Sequence, residues 1–178
     1  MKLENGMIQI YTGNGKGKST AAIGQGIRAA GNGLNVIMIQ FLKSNETGEL
    51  KILGNLVENF KLIRMESRKD FVWNLNKEQI EELKIEINNE YNYALELLKN
   101  NECDVLILDE IFGVLKNGFL NESDIINLFE NKRNETEIIL TGRNAPQSII
   151  ERADLVTEMV EVKHYFSKGV SARKGIEF

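Results

Sequence analysis

A glycine-rich loop reads Gly13-Asn14-Gly15-Lys16-Gly17-Lys18-Ser19-Thr20, and it directly follows the apolar stretch Met7-Ile8-Gln9-Ile10-Tyr11. Its glycines let backbone N–H groups approach an anion, because no Cβ atom stands in the way. Lys18 supplies a positive charge, Ser19 can place its hydroxyl on Mg²⁺, and a helix that starts here adds the positive end of its dipole. The stretch therefore predicts a phosphate-binding loop between a strand and a helix, with all residues from Gly13 to Thr20 in the binding site.

This loop is one residue shorter than the usual phosphate-loop pattern G-x-x-x-x-G-K-[ST]. Counted back from Gly17-Lys18-Ser19, the first glycine of that pattern belongs at position 12, where the chain has Thr12, and the glycine stands at position 13 instead. The turn also carries a second lysine, Lys16. A shorter loop with an additional cation predicts that a polyphosphate is held differently from the way an ordinary ATPase holds it.

Length and composition describe an ordinary globular chain. It has 178 residues, 42% of them hydrophobic, without a linker or repeat, so we expect one domain over residues 1–178. A single cysteine excludes an intrachain disulfide and suits a reducing compartment. The net charge of −4 and the scattered basic residues argue against a nucleic-acid partner, and no signal peptide or long apolar run indicates a membrane. We therefore expect a cytoplasmic protein.

Strand-like and helix-like segments alternate along the chain, which predicts a mostly parallel sheet flanked by helices. The expected fold is α/β, a three-layer sandwich of the phosphate-loop NTPase, RecA-like kind. The predicted strands are Met7–Tyr11, Val36–Phe41, Phe60–Met65, Val105–Leu108, Glu137–Leu140 and Leu155–Met159. The predicted helices are Ser19–Ala30, Gly48–Leu56, Lys77–Asn100, Phe112–Lys116, Ser123–Asn131 and Pro146–Arg152.

Polar segments follow several of these strands, and ligands of such sheets bind beyond the carboxyl ends of the strands. Asp109-Glu110 is the acidic pair expected beside a phosphate loop, where a carboxylate holds Mg²⁺ directly or through water. The sequence leaves open which of the two meets the metal, and a solvent-exposed acidic pair is the alternative. Arg143, in Thr141-Gly142-Arg143, either neutralises a polyphosphate oxygen or lies on the surface. Gln40-Phe41-Leu42-Lys43 is a fourth candidate segment.

The remaining candidates are an aromatic pair and two single residues. Phe71 and Trp73 lie two residues apart in an irregular segment, so they either cover a flat apolar ligand or fill a small core, and composition alone favours the core. His164 is interpreted as a structural histidine that could touch a ligand. Cys103 precedes a buried strand and is interpreted as a packing residue.

Taken in order, these segments resemble the ATP:corrinoid adenosyltransferases of cobalamin biosynthesis and salvage, over nearly the whole chain. The segments that carry the resemblance are the run Ile10–Thr20, Gln40-Phe41-Leu42-Lys43, Phe71-x-Trp73, Leu108-Asp109-Glu110, Thr141-Gly142-Arg143, Ala153–Met159, Lys163-His164 and Gly175-Ile176-Glu177-Phe178.

The resemblance implies an enzyme that transfers the 5′-deoxyadenosyl group of ATP to the cobalt(I) of a corrinoid such as cobalamin or cobinamide, with triphosphate as the leaving group. It also implies that the triphosphate is bound in the reverse direction to that of ordinary phosphate-loop enzymes. Because the leaving group gains negative charge, we expect the catalytic residues to be the cations Lys18, Lys16 and Arg143. We expect Ser19 and Glu110 to bind Mg²⁺, with Asp109 behind them.

The same resemblance assigns Phe71 and Trp73 to the corrinoid. It implies that they displace the lower axial ligand of cobalt, which leaves a four-coordinate corrinoid that is easier to reduce. A reduced flavoprotein that docks transiently is the implied electron donor, and a homodimer is the implied assembly. The chain departs from the family pattern at Arg68-Lys69-Asp70, where glycine and a small residue are usual, and at Val72, where threonine is common.

Two other functions fit the same residues. A phosphate-loop ATPase or small-molecule kinase would use Glu110 as its base and would release or transfer the terminal phosphate. A corrinoid-binding or nucleotide-binding module would bind without forming a Co–C bond.

Overall fold

The computed structural model describes residues 2–43, 47–56, 58–66 and 72–177, and for residues 54–56 it describes the backbone alone. In this part of the chain the strands are β1 (Ile8–Thr12), β2 (Val36–Gln40), β3 (Phe60–Ile63), β4 (Val105–Asp109), β5 (Glu137–Thr141) and β6 (Leu155–Glu158). The helices are α1 (Lys18–Gly31), α2 (Gly48–Leu56), α3 (Lys77–Asn100), α4 (Ile111–Lys116), α5 (Glu122–Glu130) and α6 (Gln147–Ile150). The stretches Val72–Asn74 and Tyr165–Lys168 are 3₁₀ turns.

The strands form one sheet in the order β3-β2-β4-β5-β1-β6, and every neighbouring pair is parallel. One strand, β5, lies between β1, which leads into the glycine-rich loop, and β4, which ends in Asp109. All carboxyl ends therefore meet at one edge of the sheet, as the strand-end segments of the sequence predict.

Apolar side chains cover both faces of the sheet, because successive residues of a strand point to opposite sides. In β4, Leu106 and Leu108 belong to the core that α3, α4 and α5 cover, whereas Val105 and Ile107 belong to the core under α1 and α2. This arrangement is the three-layer sandwich that the alternation of segments predicts. Cys103 packs in the first of these cores, where burial raises the pKa of its thiol to about 12, so it acts as a small hydrophobic residue.

The predicted strands and helices are all present. The bounds of several strands differ from the prediction at the carboxyl edge of the sheet. β4 and β5 each continue one residue beyond the prediction, into Asp109 and Thr141, which are fully buried. The parallel ladder extends to these polar residues, since Asp109 pairs with Gln40 and Thr141 with Tyr11. β3 ends at Ile63, two residues early, and the N–H of Met65 donates to the Glu90 carboxylate at 2.8 Å instead of joining the sheet.

The longest helix, α3, has sequence signals at both ends. A capping box opens it, in which the Asn76 side chain accepts from the N–H of Gln79 and the Gln79 side chain accepts from the N–H of Asn76, each at 2.9 Å. Asn101 closes it in a left-handed conformation with φ 57°. Among the described helices, neither α3 nor any other combines the length and the apolar character that a membrane crossing requires.

Two glycines of α1 provide a paired test of how closely this helix packs on the sheet. A Cβ at Gly26 would lie 2.3 Å from Cε2 of Phe60, whereas a Cβ at Gly24 meets no atom within 4 Å. We expect Gly26→Ala to lower the free energy of unfolding by about 1–3 kcal/mol through overpacking. Gly24→Ala should raise it by up to about 1 kcal/mol through helix propensity. Urea unfolding followed by circular dichroism measures both, and equal effects of the two substitutions would contradict this packing.

Candidate active site

A cavity of about 740 Å³ opens at the carboxyl edge of the sheet, in front of the first turn of α1. Segments far apart in the sequence line it, because the parallel strands deliver their ends to this edge. The lining includes loop residues 14–20, Lys43, Glu110, Arg143, His164 and residues 175–177. The structure thus brings the phosphate loop, Glu110 of the acidic pair and Arg143 to one cavity, together with Lys43 and a C-terminal segment to which the sequence assigned no role.

The short glycine-rich loop packs tightly against the end of β6. The N–H of Gly15 donates to the carbonyl of Met159 at 2.7 Å, and a Cβ at Gly13 would lie 2.4 Å from that oxygen. Gly13 and Gly17 also have φ values of 97° and 113°, which L side chains rarely adopt. The glycines are therefore required by the backbone path, and the amide of Gly15 anchors the loop rather than facing the cavity.

The side chain of Lys18 folds back over this loop. It is only 7% exposed, and its Nζ donates to the carbonyl of Gly15 at 2.8 Å. Burial lowers the pKa of Lys18, and the nearby Glu110 carboxylate opposes that shift. The ammonium is thus held at the mouth of the loop, next to the cavity that it lines.

Asp109 is fully buried, and its carboxylate accepts hydrogen bonds from the side chains of Thr141, Gln40 and Lys43. Its Oδ1 accepts from the Thr141 hydroxyl at 2.6 Å, and its Oδ2 accepts from Gln40 Nε2 at 3.0 Å and from Lys43 Nζ at 2.5 Å. Burial by itself would raise the pKa of Asp109, but the charge and hydrogen bond of Lys43, with further help from Thr141 and Ser19, outweigh it and lower that pKa. Asp109 is therefore an ionised carboxylate that lies behind Lys43, a residue of the cavity lining.

Lys43 lies at the centre of this group. Besides its ion pair with Asp109, its Nζ donates to the Ser19 hydroxyl at 3.2 Å. The ammonium thus stands between the hydroxyl and the carboxylate that the sequence connects with Mg²⁺. Sequence reasoning placed Lys43 in a strand-end segment without giving it a role, since no spacing rule reports a contact across 66 positions.

Glu110 begins α4 in a left-handed conformation with φ 61° and ψ 21°. Its N–H donates to the Thr141 hydroxyl at 3.0 Å, so this hydroxyl accepts from Glu110 while it donates to Asp109. The Glu110 side chain lines the cavity, where burial, and then the charge of Asp109, raise its pKa. A non-glycine residue is uncommon in this backbone conformation, and it occurs here at a residue that lines the cavity.

Arg143 reaches the cavity from the end of β5. The preceding Gly142 has φ 144°, and a Cβ there would lie 2.8 Å from Cβ of Phe112, so the chain turns closely over α4 at this point. Arg143 is exposed, yet it lines the cavity. This placement favours a ligand-facing arginine over the alternative of a surface residue remote from the loop.

A partly buried carboxyl group, that of Glu66, and a fully buried one, that of Glu90, accept hydrogen bonds from the backbone that follows β2 and β3. The Glu66 carboxylate accepts from the N–H of Leu42, which has φ 54°, and the Glu90 carboxylate on α3 accepts from the N–H of Met65. Burial raises the pKa of Glu66 to about 7 and that of Glu90 to about 8. Neither residue was singled out from the sequence, because on a helix pattern Glu90 resembles any polar position of α3.

The aromatic pair is only partly described, because Phe71 lies outside the described residues. Val72 packs against the hydrophobic core, whereas Trp73, in the same 3₁₀ turn, is 78% exposed. Trp73 is therefore not a core residue, and the alternative that composition favoured is wrong for it. It is not among the residues that line the cavity at the phosphate loop.

The C-terminal segment closes the side of the cavity next to Lys16. Lys16 Nζ donates to the carbonyl of Ile176 at 2.8 Å and lies 3.7 Å from the Glu177 carboxylate. Glu177 also accepts from the Tyr165 hydroxyl and from the N–H of Arg173, and hydrogen bonds from Arg173 and Tyr165 lower its pKa to about 2. His164 Nδ1 accepts from the N–H of Phe166 at 3.1 Å, which is the structural role that the sequence predicts, and its side chain lines the cavity as well.

The donors available to a metal are few. Within residues 2–43, 47–56, 58–66 and 72–177 the structure has no group of three or more His, Cys, Asp or Glu side chains suited to a metal ion. Ser19 can supply a hydroxyl to a metal, and Asp109 and Glu110 can supply carboxylates. Such a donor set suits Mg²⁺, which takes its other ligands from phosphate and water. These residues therefore fit a metal that arrives with a nucleotide, and not a resident metal centre.

Comparison with known proteins identifies a family whose named substrates include ATP, as a phosphate-binding cavity requires. The family model for ATP:corrinoid adenosyltransferase BtuR/CobO/CobP matches residues 4–178. The chain belongs to this family. It is 35% identical to the corrinoid adenosyltransferase of Pseudomonas aeruginosa over 98% of this chain and 85% of that one. It is 32% identical to the corrinoid adenosyltransferase of Escherichia coli K12, over 98% and 87% of the two chains.

A solved structure supports the fold. The flagellar accessory protein FlaH from Methanocaldococcus jannaschii superposes with a TM-score of 0.55 over 88% of this chain and 72% of that one, at 16% identity. At this identity the similarity concerns the fold alone. The predicted family, the enzyme class and the phosphate-loop NTPase-like fold are thus confirmed, and ATP and a corrinoid are the substrates named in the family's description.

Glu90 provides a test of the buried carboxyl group that accepts from the backbone after β3. Its pKa is raised from an ordinary 4.5 to about 8, so the stability that its proton contributes is complete below the lower value and is lost as the pH rises through about 8. Glu90→Gln keeps an acceptor for Met65 and removes the titration. We expect the stability of the wild type to fall relative to this variant by about 1–3 kcal/mol between about pH 5 and pH 8.

Urea unfolding at both pH values measures this difference. Glu96→Gln, which changes an exposed carboxylate of the same helix, is the matched control. Parallel pH curves for the wild type and Glu90→Gln would show that Glu90 is not protonated in the folded protein.

Proposed function

We propose that the chain transfers the 5′-deoxyadenosyl group of ATP to the cobalt(I) of a bound corrinoid at this cavity. Cobalt(I) attacks C5′ of the ribose, the C5′–O bond breaks, and the bonding electrons leave with the intact triphosphate. One Co–C bond forms and the cobalt is oxidised to cobalt(III). The observation that carries the proposal is the set of cations, Lys16, Lys18, Lys43 and Arg143, that line one cavity with the phosphate loop.

This arrangement suits a reaction in which a large anion departs as one unit. Negative charge grows on the triphosphate as the C5′–O bond breaks, so cations aimed at it stabilise the transition state more than the ground state. Lys18 exchanges its bond with the Gly15 carbonyl for a phosphate oxygen, and Lys16 turns from Ile176. Cobalt(I) is a strong nucleophile, so the site requires no general base, and its other task is to hold C5′ in line with cobalt.

Mg²⁺ belongs to the proposed site, and Ser19, Glu110 and Asp109 are the residues that would hold it. The position between Ser19 and Asp109 already suits a cation, because the Lys43 ammonium stands there. When bound, Mg²⁺ neutralises part of the triphosphate charge and makes the triphosphate a better leaving group. Asp109, ionised and fully buried, would offer Mg²⁺ the carboxylate oxygen that Lys43 now contacts.

Phosphoryl transfer or hydrolysis is the second candidate. Glu110 favours it, because it lines the cavity and its raised pKa suits a general base. The products separate the two reactions, since phosphoryl transfer converts ATP to ADP whereas adenosyl transfer releases triphosphate.

The corrinoid belongs, in this proposal, to the face formed by Phe71 and Trp73. The large exposed ring of Trp73 supports this assignment, because the flat apolar face of an indole suits the flat face of a four-coordinate corrinoid. Val72 supports it too, since its packing on the core fixes the turn that presents Trp73.

Cobalt(I) must be generated by an electron donor, and we propose a reduced flavoprotein that docks transiently near the corrinoid. We also propose a homodimer as the functional assembly. Both proposals rest on the resemblance to the family. Light scattering tests the dimer, and reduction of cobalamin by a flavodoxin-type protein in the presence of the chain tests the donor.

Lys18→Ala tests the phosphate site. We expect adenosyl transfer to fall by about 10²- to 10³-fold while the fold survives, because one preorganised cation is removed from the leaving group. Ion chromatography of triphosphate and the absorbance of the Co–C bond measure the reaction in the presence of ATP, Mg²⁺ and chemically reduced cobalamin.

Lys84→Ala, on the exposed face of α3, is the control and should keep the wild-type rate. A wild-type rate in Lys18→Ala would remove the phosphate assignment. ADP as the product of the wild-type protein would replace adenosyl transfer with the phosphoryl reaction of Glu110.

Trp73→Ala tests the corrinoid assignment. We expect the rate of cobalt reduction by a flavoprotein to fall by roughly tenfold, and the alkylation of cobalamin already reduced chemically to fall much less. Ile85→Ala, which shortens another exposed apolar side chain, should leave both rates unchanged. Equal losses in the two assays would indicate that Trp73 has no role specific to reduction.

A further inference from the structure

Lys43 holds a position that the proposed function reserves for a metal. Its Nζ lies 2.5 Å from Oδ2 of Asp109 and 3.2 Å from Oγ of Ser19, and its side chain is 23% exposed while that of Asp109 is fully buried. A hydroxyl and an ionised carboxylate that converge on one point form a cation site. In this structure the cation at that point is the ammonium of Lys43.

The backbone brings Lys43 to this position and holds it there. The N–H of Phe41 donates to the carbonyl of Asp109 at 3.0 Å, so the chain that leaves β2 stays beside the end of β4. Leu42 then turns through φ 54°, and the Glu66 carboxylate accepts from its N–H. These contacts make Lys43 part of the built site and distinguish it from a surface lysine that happens to find a carboxylate.

The charges at the site explain why a cation is needed before any substrate arrives. A fully buried carboxylate without a positive partner would cost several kcal/mol. A divalent cation and an ammonium cannot share the same oxygens, because two positive charges at that separation repel each other strongly in a poorly solvated site. The arrival of a metal therefore requires Lys43 to leave, and its side chain already borders the cavity that contains Lys16, Lys18 and Arg143.

We propose that Lys43 occupies the divalent-cation position in the nucleotide-free protein, leaves it when Mg²⁺ enters with ATP, and then turns toward the triphosphate in the same cavity. This inference rests on the proposed function, since it assigns Lys43 a part in that site. The exchange keeps Asp109 neutralised in both states and adds a positive charge near the leaving group at the moment when the metal–nucleotide complex binds.

The exchange has two consequences of opposite sign for one substitution. Lys43→Gln removes the competing charge but keeps a hydrogen-bond donor for Asp109. Mn²⁺ alone, counted by electron paramagnetic resonance in the absence of nucleotide and corrinoid, should bind this variant about tenfold more tightly than it binds the wild type. Tripolyphosphate with Mg²⁺, measured by calorimetry, should bind it about tenfold more weakly, because one phosphate cation is lost.

Lys16→Gln is the matched control, because it removes a charge from the same cavity without touching Asp109. It should weaken the binding of tripolyphosphate and leave the Mn²⁺ affinity within about twofold of the wild type. Adding Asp109→Asn to Lys43→Gln should abolish the gain in Mn²⁺ affinity, which assigns that gain to this site.

A Mn²⁺ affinity of Lys43→Gln that is unchanged, lower, or raised no more than in Lys16→Gln would overturn the inference, as would unchanged binding of tripolyphosphate. A merely structural role of Lys43 would weaken both ligands together. Lys43→Met, which preserves the length of the side chain, carries the same expectations if the glutamine variant does not fold. Neither binding measurement involves ATP or a corrinoid. A failure of this inference can therefore be distinguished from a failure of the chain to form the Co–C bond.

Discussion

The geometry of the site depends on one buried carboxylate, that of Asp109. Side chains from the ends of β2 and β5, and Lys43 beyond β2, all donate hydrogen bonds to it. A buried carboxylate that lost these partners would be strongly destabilising, so the strand ends have a single arrangement that satisfies it. The Thr141 hydroxyl also accepts from the N–H of Glu110, which connects this second carboxylate of the cavity to the same group. The groups beneath the cavity are therefore joined in one hydrogen-bonded network.

A second constraint acts from the other side of the cavity. The shortened loop lies against the end of β6 so closely that Gly13 and Gly15 have no space for a Cβ, and Lys16 is held by the C-terminal segment. The loop is thus clamped at its back while Lys18 closes over its front. In the proposed reaction the backbone of the loop keeps this position while the side chains of Lys16 and Lys18 turn to the triphosphate, so that the chemistry takes place at the ribose carbon.

Much of the fold and part of the site could be predicted from the sequence. The periodicity of α3 and the apolar runs of the strands are local signals, and the bounds of α2 and α3 agree with the predicted ones. The phosphate loop, Asp109-Glu110 and Arg143 were found because each follows a strand. Lys43 was placed in a strand-end segment without a role, and Glu66 and Glu90 were not singled out, since the roles of all three rest on contacts over 66, 24 and 25 positions. For Trp73, composition favoured the core. In the structure Val72 packs on the core instead, and the ring of Trp73 is exposed.

The sequence by itself determined the order of strands and helices, the phosphate loop and the family, because each of these is recognised from patterns within short segments of the chain. Only the tertiary structure decided which cation neutralises Asp109, which carboxyl groups are buried, and which glycines lie against Met159. The physical reason is that a charge or a close contact is defined by distance in space. A parallel sheet brings to one edge groups that the chain separates by more than a hundred residues, such as Lys16 and Ile176.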